Sequence, residues 1–247
     1  MYEALIADGW TICAKEICAG SAHWTLAFQK AGFKGDADDI LYDTAQDLTC
    51  EKYVCQIMYD ASCKRFLVSH CGTECTTFST AAHPPYRDRV SSNVDGLPDV
   101  LADPDEGPKV RSANKQAENT ARLLLHFAKV GIYASLENPA NSMLWTWLEY
   151  HGWLPLLLAA GYRLHKTHYC HYKTRYQKAT KVLCNYSMPE FPCCGKTTHD
   201  EILRGSKKLA SGRWAARTKL ANPYPRGLCQ DWVRSVLAAV AAHRGVV

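Results

Sequence analysis

Apolar and polar positions along the first 140 residues follow two alternating periods, one typical of buried strands and one of amphipathic helices. Apolar runs that end in small or polar residues predict four strands, at 10–18, 33–40, 66–70 and 132–136. Helical spacing between them predicts three helices, at 24–31, 50–62 and 112–129. This alternation favours an α/β fold with a doubly wound, mostly parallel sheet and helices on both faces.

The second part of the chain has a weaker pattern. Its apolar segments predict, in order, a tryptophan-rich helix at 145–160, two closing strands at 162–172 and 180–184, and a final helix at 231–242. Residues 80–112 are rich in proline and aspartate, which predicts a long loop. The weak periodicity of 186–220 predicts a short insertion between the main domain's two parts.

Composition indicates a globular protein. The chain has 247 residues, of which 47% are hydrophobic and 21% charged, enough for one large α/β domain. No apolar run approaches 18 residues, and the N-terminus lacks a basic-then-apolar signal pattern. We therefore expect an intracellular protein without a membrane partner, nuclear in a eukaryote and otherwise cytoplasmic. The twelve scattered cysteines are expected to be mostly reduced thiols.

Charge is divided unevenly between the two parts of the chain. Residues 1–106 carry 8 Lys and Arg against 17 Asp and Glu, whereas residues 107–247 carry 21 against 7. The balance is therefore −9 in the first part and +14 in the second. Such a basic half would attract a polyanion such as DNA or RNA. A solvated basic face without a partner is the alternative.

Two predicted strands end next to reactive side chains. The strand at 66–70 stops at Gly72, and Cys75 lies just beyond it; the strand at 132–136 is followed by Glu137. Because the carboxyl ends of parallel strands open into a ligand crevice, a thiol and a carboxylic acid there favour covalent addition assisted by a proton donor. A buried apolar Cys75 and a helix-capping Glu137 are the simpler alternatives.

A series of motifs in a fixed order surrounds these two residues. They are Glu16–Ala22, Asp47, Gly72–Ser79 with Cys75, Glu137–Pro139, Tyr172–Thr180 and Ala221–Leu228. The series resembles the cytosine-C5 DNA methyltransferase family, which uses S-adenosylmethionine (SAM), and it extends from about residue 10 to 242. The resemblance implies a Rossmann-like methyltransferase domain at 1–185 and 221–247, with 186–220 in place of the family's much longer target-recognition region.

The resemblance also implies roles for individual residues. Cys75 would be the nucleophile and Glu137 the acid. The residues expected to bind SAM are Cys18, Ala19, Gly20, Ser21, Trp24, Asp38, Asp47 and Asn222. Those expected to contact the substrate are Ser79, Arg87, Arg89, Asn138, Lys178 and Thr180. No residue is assigned to a metal.

The implied reaction is methylation of C5 of cytosine in DNA through a bond between Cys75 and C6 of the base. A base inside a duplex cannot be reached, so it would be flipped out, and the loop at 80–112 with Arg87 and Arg89 would close over it. RNA is an alternative substrate. Since the recognition region is short, base-specific readout is expected to be either relaxed or supplied by an additional domain or a second chain.

Several positions differ from the family's pattern. Ala22 replaces a glycine, Glu74 replaces the proline before the nucleophile, and Lys178 and Thr180 replace two arginines. An acidic neighbour such as Glu74 is expected to raise the pKa of the Cys75 thiol and slow the enzyme. A nucleic-acid-binding module that keeps the fold and has lost turnover is therefore a competing interpretation.

Two further motifs allow other chemistry. His83-Pro-Pro-Tyr86 resembles the tetrapeptide of methyltransferases that act on exocyclic amines, although a histidine replaces its Asp or Asn and no buried strand directly precedes it. Cys193, Cys194 and His199 could bind zinc, joined by Cys184, Cys170 or His168. Their spacing matches no strong ligand pattern, so loose thiols in a variable loop are the favoured interpretation.

Overall fold

Six strands form the central sheet in the order β2-β1-β3-β4-β6-β5. They are β1 (Cys13–Ile17), β2 (Lys34–Asp38), β3 (Val68–Cys71), β4 (Tyr133–Pro139), β5 (Arg163–His168) and β6 (Ala179–Cys184). β6 runs in the opposite direction to the other five strands, so it is antiparallel to both of its neighbours, β4 and β5. The computed structural model describes residues 13–89, 91–196, 198–203, 205–208 and 214–243, so the first three residues of the predicted strand 10–18 lie outside it.

Helices cover both faces of the sheet, so the predicted doubly wound, Rossmann-like α/β fold is confirmed. The described helices are α1 (His23–Lys30), α2 (Glu51–Ser62), α3 (Pro98–Ala102), α4 (Glu106–Val130), α5 (Met143–Tyr150), α6 (Trp153–Ala159) and α7 (Arg226–His243). One apolar core joins α2, α4, α5 and α6 to one face, and a second joins α1 and α7 to the other. Two short strands, β7 (Ser206–Lys208) and β8 (Trp214–Ala216), pair separately.

The middle strand β3 is buried on both sides, so that even its polar residues Ser69 and His70 lie in the interior. All four residues of β3 are buried, with Val68 facing the core of α1 and α7 and Cys71 facing the opposite core. The closing pair predicted at 162–172 and 180–184 forms the antiparallel β5 and β6. The sheet therefore aligns the carboxyl ends of β1 to β4 along one edge.

The prediction of one long loop at 80–112 is wrong in its second half. Helix α3 lies within it, and α4 begins at Glu106, six residues before the predicted start. Asp103 Oδ1 accepts hydrogen bonds from the backbone N–H groups of Asp105 and Glu106, both at 2.8 Å, and these satisfy the start of α4. Pro108 lies in the first turn, where a missing N–H costs nothing.

Two other helices differ from their predicted bounds. The tryptophan-rich helix is divided into α5 and α6 by Gly152, whose positive φ of 74° ends the continuous helical path. Helix α7 begins at Arg226, five residues before the predicted Asp231. Among the described residues, no helix combines the length and the apolar character needed to cross a membrane.

Candidate active site

A cavity of about 420 Å³ opens at the carboxyl edge of β1 to β4. It brings together most of the predicted site residues: Cys18, Ala19, Gly20, Ser21, Asp47, Cys75, Glu137, Asn138, Lys178 and Asn222. We call the part formed by Cys18–Ser21, Asp39–Leu41 and Asp47 the turn end, and the part formed by Cys75, Glu137 and Lys178 the thiol end. The predicted residues Trp24, Asp38, Ser79, Arg87, Arg89 and Thr180 are not among its lining residues.

The turn end depends on an unusual backbone after β1. Cys18, Gly20 and Ala22 all have positive φ angles, between 53° and 56°, which turn the chain sharply into α1. Gly72, at the end of β3, approaches this turn so closely that a Cβ atom would lie 2.7 Å from the carbonyl oxygen of Cys18. The glycine is therefore required by the contact between the two strand ends.

A carboxylate holds the same turn in place. The backbone N–H of Gly20 donates to Asp39 Oδ2 at 2.9 Å, and the Tyr42 hydroxyl donates to the Gly20 carbonyl. Asp39 follows β2 directly and lines the cavity, as does Asp47. Each carboxylate oxygen has more than one lone pair, so both side chains can also accept hydrogen bonds from a ligand.

The geometry favours Asp39 over the predicted Asp38 as a ligand-binding acid. Asp38 is buried beneath the turn, where it pairs with Lys15 Nζ at 2.6 Å and accepts a hydrogen bond from the Tyr53 hydroxyl at 2.7 Å. Successive residues of a strand point to opposite sides, so a shift of one position decides which acid faces the cavity.

Apolar side chains lie beside these acids at the cavity rim. Ile40 and Leu41 line the cavity although 49% and 85% of their surfaces are exposed. Exposed apolar groups next to hydrogen-bond acceptors suit a ligand with a flat base and a hydroxylated sugar. The adenosine part of SAM has these features, so the turn end fits the cofactor that the sequence resemblance implied.

Cys75 occupies the thiol end, half-buried. Burial raises the pKa of its thiol to about 11; the positive charge of Lys178 opposes this rise, while Glu137 and Glu74 add to it. The expected effect of Glu74 on the pKa is confirmed in direction, but burial is the larger cause. The thiol is therefore protonated at neutral pH in the ligand-free site.

Glu74 also shapes the loop that carries Cys75. Its carboxylate accepts hydrogen bonds from the backbone N–H groups of Thr76 and Thr77 and from the Thr77 hydroxyl. These contacts form a tight turn after β3 without the proline that the family has at this position. Glu74 therefore keeps the loop ordered and places a negative charge beside Cys75.

Glu137 is fixed by two neighbours. Its carboxylate, only 6% exposed, accepts a hydrogen bond from the Thr180 hydroxyl and lies 3.3 Å from Lys178 Nζ. Thr180 is fully buried on β6, so it orients Glu137 and does not reach the cavity. The predicted substrate contact of Thr180 is corrected accordingly.

Asn138 and Lys178 complete the thiol end. Asn138 Nδ2 donates to the Thr73 carbonyl at 3.0 Å, while its Oδ1 atom is buried without a hydrogen-bond partner among the described residues. Lys178 Nζ donates to the Tyr169 hydroxyl at 3.1 Å and lies 4.5 Å above the centre of the same ring. The unpartnered oxygen of Asn138 can therefore accept a hydrogen bond from a ligand in the cavity.

Arg87 does not have the predicted role of a free substrate contact. Its guanidinium donates to Thr77 O and Oγ1, to Val94 O and to Asn114 Oδ1, and it lies 3.9 Å above the Phe78 ring. The side chain is 4% exposed and holds the segment after Cys75 against α4.

The remaining predicted residues lie away from the cavity. Arg89 is exposed on the loop after the Cys75 segment. The Ser79 hydroxyl accepts from the N–H of Ala81 at 3.2 Å, and Trp24 is fully buried against Phe28 and His70. Trp24 therefore anchors the first turn of α1 in the core.

Sequence reasoning missed Tyr224, which lines the cavity beside Asn222. Its hydroxyl lies 3.0 Å from His70 Nε2, and His70 Nδ1 lies 2.8 Å from Ser135 Oγ. Burial lowers the pKa of His70 to about 3, so the ring is neutral and this buried network carries no charge. The tyrosine of the Asn222–Pro225 motif was the available signal, since a buried tyrosine needs a hydrogen-bond partner.

Comparison with known proteins identifies no family from sequence. No family model matches the chain, and no curated protein matches its sequence. Among solved structures, the chain is similar to the Dnmt2 methyltransferase of S. pombe, with 14% identity over 73% of this chain and a TM-score of 0.42. It is also similar to the methyltransferase EhMeth of Entamoeba histolytica, with 10% identity over 79% of this chain and a TM-score of 0.38. The chain covers 52% and 58% of the lengths of these two proteins.

Proposed function

We propose that the chain is a SAM-dependent methyltransferase that acts on C5 of cytosine in DNA through a covalent bond to Cys75. The observation that carries this proposal is one cavity that joins the turn end to the thiol end. A cofactor at the turn end and a base at the thiol end would meet inside it. SAM, when bound there, supplies an electrophilic methyl group.

The residues of the thiol end would activate a cytosine ring. The proton of the Cys75 thiol passes to the Glu137 carboxylate, and the resulting thiolate adds to C6, which forms the sulfur–C6 bond and moves the π electrons toward N3. Glu137 donates a proton to N3, so C5 becomes the nucleophilic carbon of an enamine. After C5 is methylated, loss of the C5 proton to a base expels Cys75 and restores the aromatic ring.

Three neighbours would support these steps. Lys178 lowers the pKa of Cys75 and faces the Glu137 carboxylate at 3.3 Å, so it stabilises negative charge on either group. Thr180 orients Glu137, and the free Oδ1 of Asn138 would accept a hydrogen bond from the amino group of the base. The net charge of +14 on residues 107–247 supports a nucleic-acid substrate.

The direct test is transfer of labelled methyl from SAM to cytosine-containing DNA. The full chain should label DNA, Cys75→Ala should label none, and the matched variant Cys63→Ala, which changes an exposed cysteine, should behave as wild type. DNA containing 5-fluorocytosine should form a stable adduct with Cys75, because fluorine at C5 cannot be removed as a cation.

A parallel RNA assay decides between the two nucleic acids. Transfer to RNA and not to DNA would move the proposal to the RNA branch of the same chemistry. The high pKa of Cys75 favours one further candidate, a binding module without turnover. Nucleic-acid binding in the absence of SAM binding, methyl transfer and the 5-fluorocytosine adduct would establish that module and overturn the enzyme.

A further inference from the structure

Four potential metal ligands meet outside the cavity. The sulfurs of Cys170, Cys193 and Cys194 and one ring nitrogen of His199 all lie within 4.8 Å of one another. Cys184, a partner considered from the sequence, is not part of this group, because it is buried in the core and its thiol donates to the Tyr186 carbonyl at 3.1 Å. The structure therefore selects Cys170 as the fourth member.

Three of the six separations among these atoms are close to those of a tetrahedral zinc site, and all six lie within 4.8 Å. Bond lengths of about 2.3 Å to sulfur and about 2.0 Å to nitrogen place ligand atoms roughly 3.5–3.8 Å apart. These three separations are 3.5 Å for the sulfurs of Cys170 and Cys193, 3.4 Å from Cys194 Sγ to His199 Nε2 and 3.9 Å from Cys193 Sγ to the same nitrogen. Three thiols and one imidazole are a donor set that zinc prefers.

Two neighbouring N–H groups are directed at these sulfurs. Gln177 Nε2 donates to the Cys193 sulfur at 3.2 Å, and the backbone N–H of Cys194 donates to the Cys170 sulfur at 3.4 Å. Hydrogen bonds from N–H groups to ligand sulfurs are typical of metal–thiolate centres, where they stabilise the negative charge on the sulfurs. The cluster therefore has both the ligands and part of the surrounding shell of a metal site.

The cluster joins two separate parts of the chain. Cys170 lies in the short 3₁₀ turn Tyr169–Tyr172 that follows β5, whereas the other three members belong to the predicted insertion. The same two segments also make ring contacts, since His171 and Phe191 stack with centroids 3.8 Å apart and planes within 5°. A metal ion at the cluster would hold the insertion against the end of β5.

We propose that Cys170, Cys193, Cys194 and His199 bind one structural zinc ion that fastens the insertion to the 3₁₀ turn after β5. Four protein ligands leave no open position, so the ion would act on structure and not on substrate. One hydrogen bond connects the zinc site to the cavity, because Tyr169, next to Cys170, accepts it from the cavity residue Lys178. The zinc proposal does not rest on the proposed methyl transfer.

Metal content of the full chain tests the proposal. Protein purified under reducing conditions without added metal should contain one zinc per chain by elemental analysis. Cys194→Ser, at an exposed position, should lose it, with affinity weakened more than tenfold, whereas Cys63→Ser should keep it. Metal-free wild type titrated with Co²⁺ should develop thiolate-to-cobalt absorption and tetrahedral bands that saturate at one equivalent.

The cobalt titration needs no variant, so it holds even where Cys194→Ser folds poorly. The proposal is overturned where the reduced chain takes up neither zinc nor cobalt in stoichiometric amount. It is equally overturned where Cys63→Ser loses as much zinc as Cys194→Ser. A mapped disulfide between Cys170 and Cys193, with no metal uptake after reduction, would assign the cluster to redox chemistry instead.

Discussion

The two ends of the cavity use charge in different ways. At the turn end, the carboxylates of Asp39 and Asp47 accept hydrogen bonds from the backbone and have no ion pair in the described structure. At the thiol end, Glu137 is buried against the cation of Lys178 at 3.3 Å. The turn end therefore presents hydrogen-bond acceptors to a ligand, whereas at the thiol end the negative charge of Glu137 is paired with the positive charge of Lys178.

This contrast explains the different demands on the two ends. A small ligand that enters and leaves in every cycle needs an open rim with acceptors, which a tight backbone turn provides. A nucleophile must instead be kept from reacting at random, and a thiol with a pKa of about 11 is almost entirely protonated at pH 7. In the proposed reaction, substrate binding would therefore have to lower the pKa of Cys75 or remove its proton.

The largest predicted effect is the pH dependence of Cys75 alkylation. Because the thiolate reacts and the pKa is about 11, the alkylation rate of Cys75 should rise about tenfold per pH unit between pH 7 and 10. Mass spectrometry of the Cys75 peptide after timed iodoacetamide treatment measures this rate. Glu74→Gln removes a charge that raises the pKa, so its profile should move to lower pH. A rate that levels off near pH 8 would contradict the buried thiol.

Replacing the cation of the thiol end should have the next largest effect. Lys178→Met removes the charge that lowers the pKa of Cys75, so alkylation at pH 8 should slow by about tenfold. It also leaves Glu137 buried without its cation, which should reduce the free energy of unfolding by about 3 kcal/mol at neutral pH. Peptide-level labelling and urea denaturation measure the two effects.

Lys181→Met is the matched control for this change. Lys181 lies three residues farther along the chain, in β6, and its amino group is 5.8 Å from the centre of the Trp145 ring, outside the cavity lining. The alkylation rate of Cys75 in the Lys181→Met variant should equal the rate in wild type. Equal slowing in both variants would mean that Lys178 acts through general charge and not through its position.

The turn end can be tested with two neighbouring acids. Asp39→Asn should weaken SAM binding by about tenfold, since it removes a charged acceptor at the cavity and loosens the Gly20 contact. Asp38→Asn should leave SAM affinity unchanged and lower thermal stability, because Asp38 pairs with Lys15 inside the protein. Calorimetric titration and thermal melts distinguish them. Reversed effects would return the ligand-binding role to Asp38.

The smallest predicted effect concerns the backbone of the turn. Ala22 has a φ of 53°, a conformation that costs a residue with a side chain about 1 kcal/mol and costs glycine little. Ala22→Gly should therefore stabilise the folded protein by up to about 1 kcal/mol and raise its melting temperature. A lower melting temperature would show that the Ala22 methyl group packs well enough to offset the strain.

Much of the fold was predictable because short apolar segments alternate with amphipathic helical patterns along the chain. The apolar segment 66–68 marks the start of β3, and the carboxyl ends of β3 and β4 place Cys75 and Glu137 at one edge. The start of α4 was not predictable from periodicity, since it depends on the side chain of Asp103 folding back onto two backbone groups.

The site was less predictable wherever tertiary contacts decide an orientation. Asp38 and Asp39 are adjacent, so only the exact end of β2 determines which one faces the cavity. Arg87 has a charge that suits a phosphate, yet the backbone carbonyl groups of Thr77 and Val94 accept its hydrogen bonds inside the protein. Cys170 is separated by 23 residues from Cys193, and no spacing rule connects them.

The position of β6 has a consequence for the order of folding. β5 joins the sheet only through β6, which lies between it and β4. The β5–β6 hairpin can form from local contacts, since only ten residues connect its strands, and it then docks onto β4 as a unit. That hairpin carries Cys170, Lys178 and Thr180, so Glu137 acquires its partners at the docking step. In hydrogen-exchange experiments, the amides of the hairpin should open together, as one cooperative unit separate from β1 and β3.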